Sequence, residues 1–466
     1  MAEFLTYGPG IPRYLALWIP LTPLLLLALR SAGAGWGTLA VGLATTIPTL
    51  VLHDPSEELA LVPAARVALV AGSLAVALAW LVVRLMRPGP SEPAQDSGWE
   101  SDHLGGHRRT AVRWGWVAVV AVFALAVRVP LAWLDPGIGD FATASEVAAR
   151  QLLAGTNPYD AANPFTTIGA YQYPSGSLLW HLPLVAAGPA ELWGEAHLGA
   201  RAALWTTDLL GIALLAWAGA RVGHARAGLL AAAAYAVHPT LVRESGILVA
   251  NDVILGALVT AAAVAFTLKR PLVAATAAGL AVSVKPAAIV VLPVVLLLGG
   301  PAAAVVMAAL PVALQAPFLL WPSPGLRGLG AIAEPAARLA EEEVLRLTVW
   351  LPLYEVTAPT EDLVQALSIL GILAALLAGW WAGTRVRRQG ADVGRVAAAV
   401  ALPLVVAYAL APRWPTNFQD WYLAPMVLAL VFSGAGGSPA REAEIDREAV
   451  HLPSAAPSGQ AGDGRG

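Results

Sequence analysis

Apolar segments recur along almost the whole chain, and polar residues collect in the short stretches between them. Many of these segments approach the roughly 20 residues that an α-helix needs to cross a bilayer. Alternating segments of about ten residues, which are typical of transmembrane β-strands, do not stand out. The pattern therefore predicts an all-α polytopic membrane protein with about 12–13 transmembrane helices.

Two polar stretches divide the apolar pattern into modules. Residues 1–87 form an N-terminal module of three spans, which are placed at residues 14–30, 36–52 and 64–86. Residues 88–110 are rich in proline, glycine, serine and acidic residues, and they are predicted to be a cytoplasmic linker. The second module covers residues 111–432, and the polar tail over 433–466 is predicted to be cytoplasmic and disordered.

Arginine and lysine mark the short loops that stay in the cytoplasm. By this rule the linker and the loop over 384–393 are cytoplasmic, and the span over 112–134 runs outward. The residues over 135–199 then form a long first extracytoplasmic loop, and residues 321–362 form a second. Long loops in compact proteins often carry function, so the functional site is expected on the extracytoplasmic side of the membrane.

Two short helices are predicted in the first outer loop. An odd number of crossings must separate this loop from the basic turn at 221–226, so the run over 176–190 is expected to re-enter or lie along the surface. The stretch before Gly155 is typical of a short amphipathic helix that ends at this glycine. Thr143 and Glu146 have the spacing of a capping box at its start.

Composition excludes several classes of protein. Hydrophobic residues make up 58% of the 466 residues and charged residues 13%, whereas a soluble domain carries about 25% charged residues. The net charge of −3 is too small to indicate a nucleic-acid partner, and no basic patch stands out, so none is predicted. The sequence has no cysteine, P-loop or zinc-protease motif, so no cofactor is predicted. A divalent metal could assist a reaction, but no ligand cluster points to one.

Two charged residues at the ends of apolar runs are candidates for chemistry. Asp140 closely follows the outward span, and a carboxylate at the edge of a low-dielectric membrane is suited to act as a general base. Alternatively, Asp140 caps the helix that follows it. Lys285 lies between two strongly apolar runs, where a cation is costly and points to a function such as phosphate binding. Alternatively, it is an anchor that reaches to the interface.

Two further charged residues have competing interpretations. Arg243 lies in an outer turn, where it could contact a phosphate or pair with Glu244 or Asp252. Asp208 lies inside a span and is expected to pair with an arginine in a structural role.

Three strings follow one another in the first outer loop after Asp140. They are Gly155-Thr156-Asn157-Pro158-Tyr159, Tyr171-Gln172-Tyr173-Pro174 and His181-Leu182-Pro183-Leu184. Weaker matches lie around residues 246–251 and 279–286. In this order the strings resemble the GT-C glycosyltransferases, and most closely glycosyltransferase family 87, over about residues 111–432. One departure is Ser175 after Pro174, where the family often has a second proline.

The resemblance implies a GT-C fold whose long first outer loop carries surface helices. It implies a membrane glycosyltransferase that moves a sugar, by family likeness mannose, from a polyprenyl-phosphate donor to a glycolipid or glycan acceptor. The family's general base falls on Asp140, and its phosphate-binding lysine falls on Lys285, with Arg243 as a second phosphate contact. The acceptor hydroxyl would displace the phosphate directly and invert the anomeric centre.

Aromatic residues of the outer loops are candidates for contacts to the sugar or the acceptor. They are Tyr159, Tyr171, Tyr173 and Trp414, with Asp420 beside the last of them. Tryptophan and tyrosine also form belts at membrane interfaces, which is the structural alternative. For the whole chain the alternative is a polytopic transporter or lipid flippase. Transport would require internal repeats or charges deep in the spans, whereas the polar residues here gather at one face.

Overall fold

The computed structural model describes residues 13–47, 63–87, 114–134, 140–162, 170–188, 197–321, 361–411 and 420–434. All regular structure in these ranges is helical, and they contain no strand. The helices are α1 (Arg13–Ser31), α2 (Trp36–Ala44), α3 (Pro63–Met86), α4 (Trp114–Leu134), α5 (Asp140–Leu153), α6 (Ser175–Ala187), α7 (Leu198–Arg221), α8 (Ala225–Val237), α9 (Pro239–Arg243), α10 (Asp252–Thr267), α11 (Pro271–Val284), α12 (Leu292–Leu319), α13 (Glu361–Gln389), α14 (Val393–Ala409) and α15 (Asp420–Gly434). A π-helical turn over Glu244–Leu248 follows α9, and a 3₁₀ turn over Pro286–Val291 precedes α12.

Five helical segments are long and apolar enough to cross a membrane. They are Val67–Met86, Trp114–Leu131, Leu198–Arg221, Pro286–Leu319 and Asp362–Gln389. The expectation of an all-α membrane protein is confirmed at this level. Gly300, with a φ of 80°, interrupts the fourth segment, so α12 consists of two helices that meet at a bend. The sequence pattern predicts separate spans over 287–300 and 301–320, and the bend lies at their boundary.

Small residues allow these helices to pack closely. A Cβ atom on Gly219 of α7 would collide with the backbone of Gly228 on α8. In the same way, a Cβ on Gly279 of α11 would lie 3.0 Å from the carbonyl oxygen of Met307 on α12. Contacts between small residues are the usual basis of helix association in lipid, where the hydrophobic effect provides no force between helices. Large apolar side chains such as Leu377 instead lie exposed on the outside of the bundle.

The N-terminal module packs directly on the second module. Helix α1 lies against α8, and α3 lies against α14. The Arg84 guanidinium on α3 pairs with Asp392 at the start of α14 at 2.9 Å. After α2, the Thr45 hydroxyl lies 3.2 Å from Nε2 of His238, which precedes α9. The two modules are therefore joined by polar contacts as well as by apolar packing. The predicted linker over 88–110 and the tail from 435 onward lie outside the described residues.

Both helices expected in the first outer loop are present. Helix α5 ends before Gly155, whose φ of +77° is the left-handed conformation that stops a helix. The predicted capping box is wrong, because α5 begins at Asp140 and Thr143 already lies inside it. The Glu146 carboxylate instead accepts a hydrogen bond from the Ala200 amide at 3.0 Å and pairs with Arg150.

Helix α6 is too short to cross a bilayer by itself. Its 13 residues span about 20 Å, whereas the hydrocarbon core is about 30 Å thick. It packs against α5, α7, α11 and α12. Helix α8 has the same length, so the expectation that α6 does not cross the membrane stays a prediction.

Candidate functional site

Lys285 forms an ion pair with a buried carboxylate. It follows α11 in an extended conformation, which Pro286 favours for the residue before it. Its Nζ atom lies 2.6 Å from Oδ1 of Asp252, the first residue of α10. The Lys285 side chain is 20% exposed, whereas the Asp252 side chain is fully buried. The Lys285 side chain therefore reaches the surface of the bundle, and its counter-ion is enclosed within the bundle.

Trp421 of α15 completes this arrangement. Its indole N–H donates a hydrogen bond to the same Asp252 oxygen that binds Lys285. The Lys285 ammonium also lies 5.2 Å from the centre of the Trp421 ring, within the range of a cation–π interaction. Three segments that are distant in the sequence thus meet at one carboxylate oxygen.

Arg243 and Glu244 form a second, deeper ion pair. Both side chains are buried, and the Arg243 Nη1 atom lies 2.8 Å from Oε1 of Glu244. The structure thus contains the ion pair that the sequence offers as the alternative to a phosphate contact. Glu244 lies in the turn between α9 and α10, outside the candidate spans. Burial raises the pKa of its carboxyl above the usual range, and the nearby positive charges of Arg243 and Lys285 oppose this rise. Both predicted phosphate-binding cations therefore lie close to Glu244.

The backbone of this turn is unusual. The π-helical turn over Glu244–Leu248 ends at Val249, which adopts the left-handed conformation with a φ of 56°. A β-branched residue rarely adopts this conformation, and strain of this kind clusters at functional sites. The turn brings Glu244 and Asp252 close together, although seven residues separate them.

Asp420 occupies a closed position at the start of α15. It is fully buried, and neither carboxylate oxygen has a hydrogen-bond partner within the described parts of the chain. The negative charges of Glu244 and Asp252 act on it, as does the positive charge of Arg243. Its backbone packs so tightly on Gly256 of α10 that a Cβ there would collide with it. Asp420 thus belongs to the same charged cluster. It is enclosed by protein, whereas a contact to a sugar would require an accessible side chain.

A hydrogen-bond network joins the first outer loop to this cluster. The Asn251 side-chain amide, next to Asp252, donates to Ser177 of α6 at 2.5 Å and to Ser145 of α5 at 3.1 Å. The Ser145 hydroxyl also lies 3.0 Å from the Tyr171 hydroxyl. Asp140 is the first residue of α5, about 7.5 Å along the helix axis from Ser145. The helix that begins at the predicted base is therefore attached to the turn that carries Asp252.

The tyrosines of the first loop form an aromatic cluster. Tyr159 contacts Tyr171 and Phe318 edge-on, with ring centres 5.5 and 5.6 Å apart. Tyr159 and Tyr171 are buried, and burial raises the pKa of Tyr171 to about 12. Tyr173 is half-buried, so only part of its ring is accessible to a ligand. Of these three tyrosines, Tyr173 is the most exposed.

An apolar groove runs along the outside of the bundle. Its volume is about 410 Å³, and it lies between α4, α6, α7 and α10. The lining residues are Trp114, Trp180, Thr207, Leu210, Gly211, Ala213, Leu214, Trp217, Ala257, Leu258 and Ala261. The Trp180 indole donates to the Thr207 hydroxyl at 2.9 Å, which satisfies both polar groups. The α10 residues of the groove, Ala257, Leu258 and Ala261, follow Asp252 by five to nine residues, so they lie on the opposite side of the helix from Asp252.

The structure adds site residues that the sequence pattern left in the background. Asp252 is named from the sequence only as a possible partner of Arg243, whereas it pairs with Lys285. Ser145, Ser177 and Asn251 are missed, because single polar residues in a mostly apolar chain carry no distinctive spacing. The predicted pairing of Asp208 with an arginine is confirmed, and the arginine is Arg128 at 2.7 Å.

Two further expectations concern residues that cannot be placed fully. Trp414 lies outside the described residues, and so does the Asp140 side chain, although its backbone is described. Over the described ranges, no group of three or more histidine, aspartate or glutamate side chains is arranged to hold a metal ion.

No family model matches the sequence, and no curated protein and no solved structure is significantly similar to it.

Proposed function

We propose that the protein is a multi-pass glycosyltransferase of the cell membrane, of the GT-C type, that uses a polyprenyl-phosphate sugar as donor. The observation that carries this proposal is the convergence of Lys285, Arg243 and the first-loop helix α5 at one charged cluster. A lipid-linked phosphate sugar needs a cation for its phosphate and an apolar surface for its chain. Both features occur in the described part of the chain.

The proposed reaction is a single displacement on the extracytoplasmic face. Asp140 accepts the proton of an acceptor hydroxyl, and the hydroxyl oxygen forms a bond to C1 of the sugar. The bond between C1 and the phosphate oxygen breaks, and polyprenyl phosphate leaves with the electron pair. Attack from the side opposite the phosphate inverts the anomeric centre. The acceptor is a glycolipid or a glycan, and family likeness favours mannose as the sugar.

The two cations have different tasks in this mechanism. Lys285 is partly exposed, so its ammonium group can contact the phosphate directly. Arg243 is buried with Glu244, so it acts through its positive charge from behind Lys285. Both positive charges stabilise the negative charge that develops on the phosphate oxygen as its bond to C1 breaks. This stabilisation lowers the activation free energy of transfer.

The apolar groove is suited to the hydrocarbon chain of the donor. Leu210 and Trp114 are 55% exposed, so the groove is accessible from the outside of the bundle, where lipid would lie. Each CH₂ group that leaves water contributes about 0.8 kcal/mol. In this proposal the chain lies in the groove while the phosphate contacts Lys285.

The test is a transfer assay with the purified full-length chain in lipid nanodiscs. Polyprenyl-phosphate sugars with a radiolabelled sugar serve as donors, and membrane glycolipids serve as acceptors. We expect transfer from at least one polyprenyl-phosphate donor and none from the matching nucleotide sugar. The proposal would be refuted if only the nucleotide sugar were used as donor, or if none of the polyprenyl-phosphate sugars in the panel were used.

A transporter or lipid flippase is the second candidate, and one observation favours it. Glu244 and Asp420 are buried carboxyl groups that each have at least one oxygen without a hydrogen-bond partner in the described structure, as in proton-coupled carriers. Proteoliposomes distinguish the candidates. A carrier moves a labelled polyprenyl-phosphate sugar across the bilayer and leaves it intact, whereas a transferase forms a new glycosidic bond.

A further inference from the structure

We propose that Asp252 and Trp421 are positioning residues that hold the Lys285 ammonium group in the place where it meets the donor phosphate. This inference rests on the proposed function, because it assigns Lys285 a phosphate ligand. It adds two residues that neither the sequence pattern nor the resemblance assigns to the reaction. The geometry points to them because both contact Lys285 directly.

The direction of the Lys285 side chain depends on these contacts. Lysine has a flexible stem with four rotatable bonds, so a partly exposed ammonium group samples many positions unless it is held. Asp252 binds Nζ from the inner side at 2.6 Å, and the Trp421 ring covers another side of it. Nζ has three N–H groups, and the bond to Asp252 uses one of them.

The orientation of Asp252 is set in turn by Trp421. The indole N–H and the Lys285 ammonium share the oxygen Oδ1, so this oxygen is held from two directions. The Asp252 side chain is fully buried, so water cannot replace either contact. The Asp252 carboxylate therefore has a defined position, and its bond to Nζ holds the Lys285 ammonium group at a defined distance.

The charge of the pair also matters for turnover. Asp252 neutralises Lys285 in the resting site, which limits the attraction for a ground-state phosphate. The negative charge on the bridging phosphate oxygen increases as the bond to the sugar breaks, so a lysine held in place acts most strongly at that stage. A misplacement of about 1 Å at such a site can lower the rate on the order of 100-fold.

The experiment separates binding from turnover in four variants. Asp252→Asn keeps the shape of the side chain and removes its charge, and Lys285→Met removes the ammonium. Trp421→Phe keeps a ring face and removes the N–H donor. Asp392→Asn removes the charge from another ion pair, that with Arg84, and serves as the matched control. Binding is measured with polyprenyl phosphate and with the uncharged polyprenol of equal length, and turnover with the donor found active.

A positioning role predicts a split between the two readouts. Asp252→Asn should lower kcat on the order of 100-fold, and its Kd for polyprenyl phosphate should be equal to or lower than that of the wild type, because Lys285 loses its neutralising charge. Trp421→Phe should lower kcat about 5-fold, the usual effect of one lost hydrogen bond, with Kd unchanged. Lys285→Met should weaken phosphate binding by at least about tenfold and abolish the preference for the phosphate over the alcohol. Asp392→Asn should keep the wild-type kcat and the wild-type Kd for polyprenyl phosphate.

The outcomes distinguish this inference from the proposed function. If the wild type binds polyprenyl phosphate and polyprenol equally, Lys285 binds no phosphate and the proposed function fails. If the wild type prefers the phosphate while Asp252→Asn and Trp421→Phe keep the wild-type kcat, the positioning role alone is overturned. If Asp252→Asn fails to fold, Trp421→Phe decides the question by the same comparison.

Discussion

Arg128 of α4 donates a hydrogen bond from Nε to Asp208 of α7 at 2.7 Å, and both side chains are completely buried. Asp208 also accepts from the Tyr235 hydroxyl of α8 at 2.8 Å. Arg128 donates further to Ser245 at 2.9 Å, in the turn that carries Glu244. The network thus links three helices to the turn on which part of the charged cluster depends.

The first prediction concerns the stability of this network. Asp208→Asn leaves the Arg128 guanidinium buried without its counter-charge, and loss of one partner of a buried pair costs about 3–5 kcal/mol. The double variant Arg128→Met with Asp208→Leu removes both charges and should be less destabilised than Asp208→Asn. Thermal unfolding in detergent measures the relative stability of the wild type, the single variant and the double variant. Wild-type stability of Asp208→Asn would show that the pair contributes little.

The second prediction concerns the contact between the first outer loop and Lys285. A Cβ on Gly176 of α6 would collide with the hydroxyl and carbonyl groups of Ser283, two residues before Lys285. We expect Gly176→Ala to destabilise the protein by about 1–3 kcal/mol and to expose the loop to protease. Gly72→Ala in α3 is the control, because a Cβ there meets no atom within 4 Å. Equal proteolysis of the two variants would argue against close packing of α6 on this segment.

The third prediction tests the apolar groove. Ala257→Phe places a ring inside the groove, so it should compete with a long hydrocarbon chain. We expect a rise of about tenfold in the KM for a long-chain donor and little change for a donor with a short, water-soluble chain. Val312→Phe is the control, because Val312 is 68% exposed on α12. A similar rise in KM for both donors would place the chain elsewhere.

The fourth prediction tests the proposed base. Asp140→Asn should lower kcat by about 10²–10⁴-fold, the usual contribution of general base catalysis, and leave donor binding and thermal stability unchanged. Asp160→Asn removes an exposed carboxylate from the same loop and should keep full activity. Full transfer activity in Asp140→Asn would exclude Asp140 as the base. Loss of activity in both variants would indicate a general effect on the loop.

Several features of the fold could be predicted from local patterns. The stop of α5 before Gly155 and the break at Gly300 follow from glycines that adopt positive φ angles, and each signal lies within a few residues. The arginine partner of Asp208 was expected because an unpaired charge inside a span is too costly. The capping box was wrong because Thr143 and Glu146 have the right spacing, but α5 begins earlier and Glu146 bonds to the distant Ala200.

The candidate site was only partly predictable. Lys285 was singled out by its apolar surroundings, but nothing local identifies Asp252, 33 residues away, as its partner. Asp420 and Tyr171 were expected at a sugar-binding surface, and the packing of α15 and of the first loop encloses both. Exposure depends on which helix faces meet, and the order of apolar residues along one helix does not specify its neighbours.

Hydrophobicity and helix-stop signals act over a few residues, so the order of amino acids is enough to predict a helical membrane chain with charged residues near its helix ends. Which of those charges meet depends on how the helices pack. Lys285, Asp252 and Trp421 come together because α10, α11 and α15 pack at close range. That geometry arises from the small residues between the helices, whose effect depends on contacts made across the whole bundle.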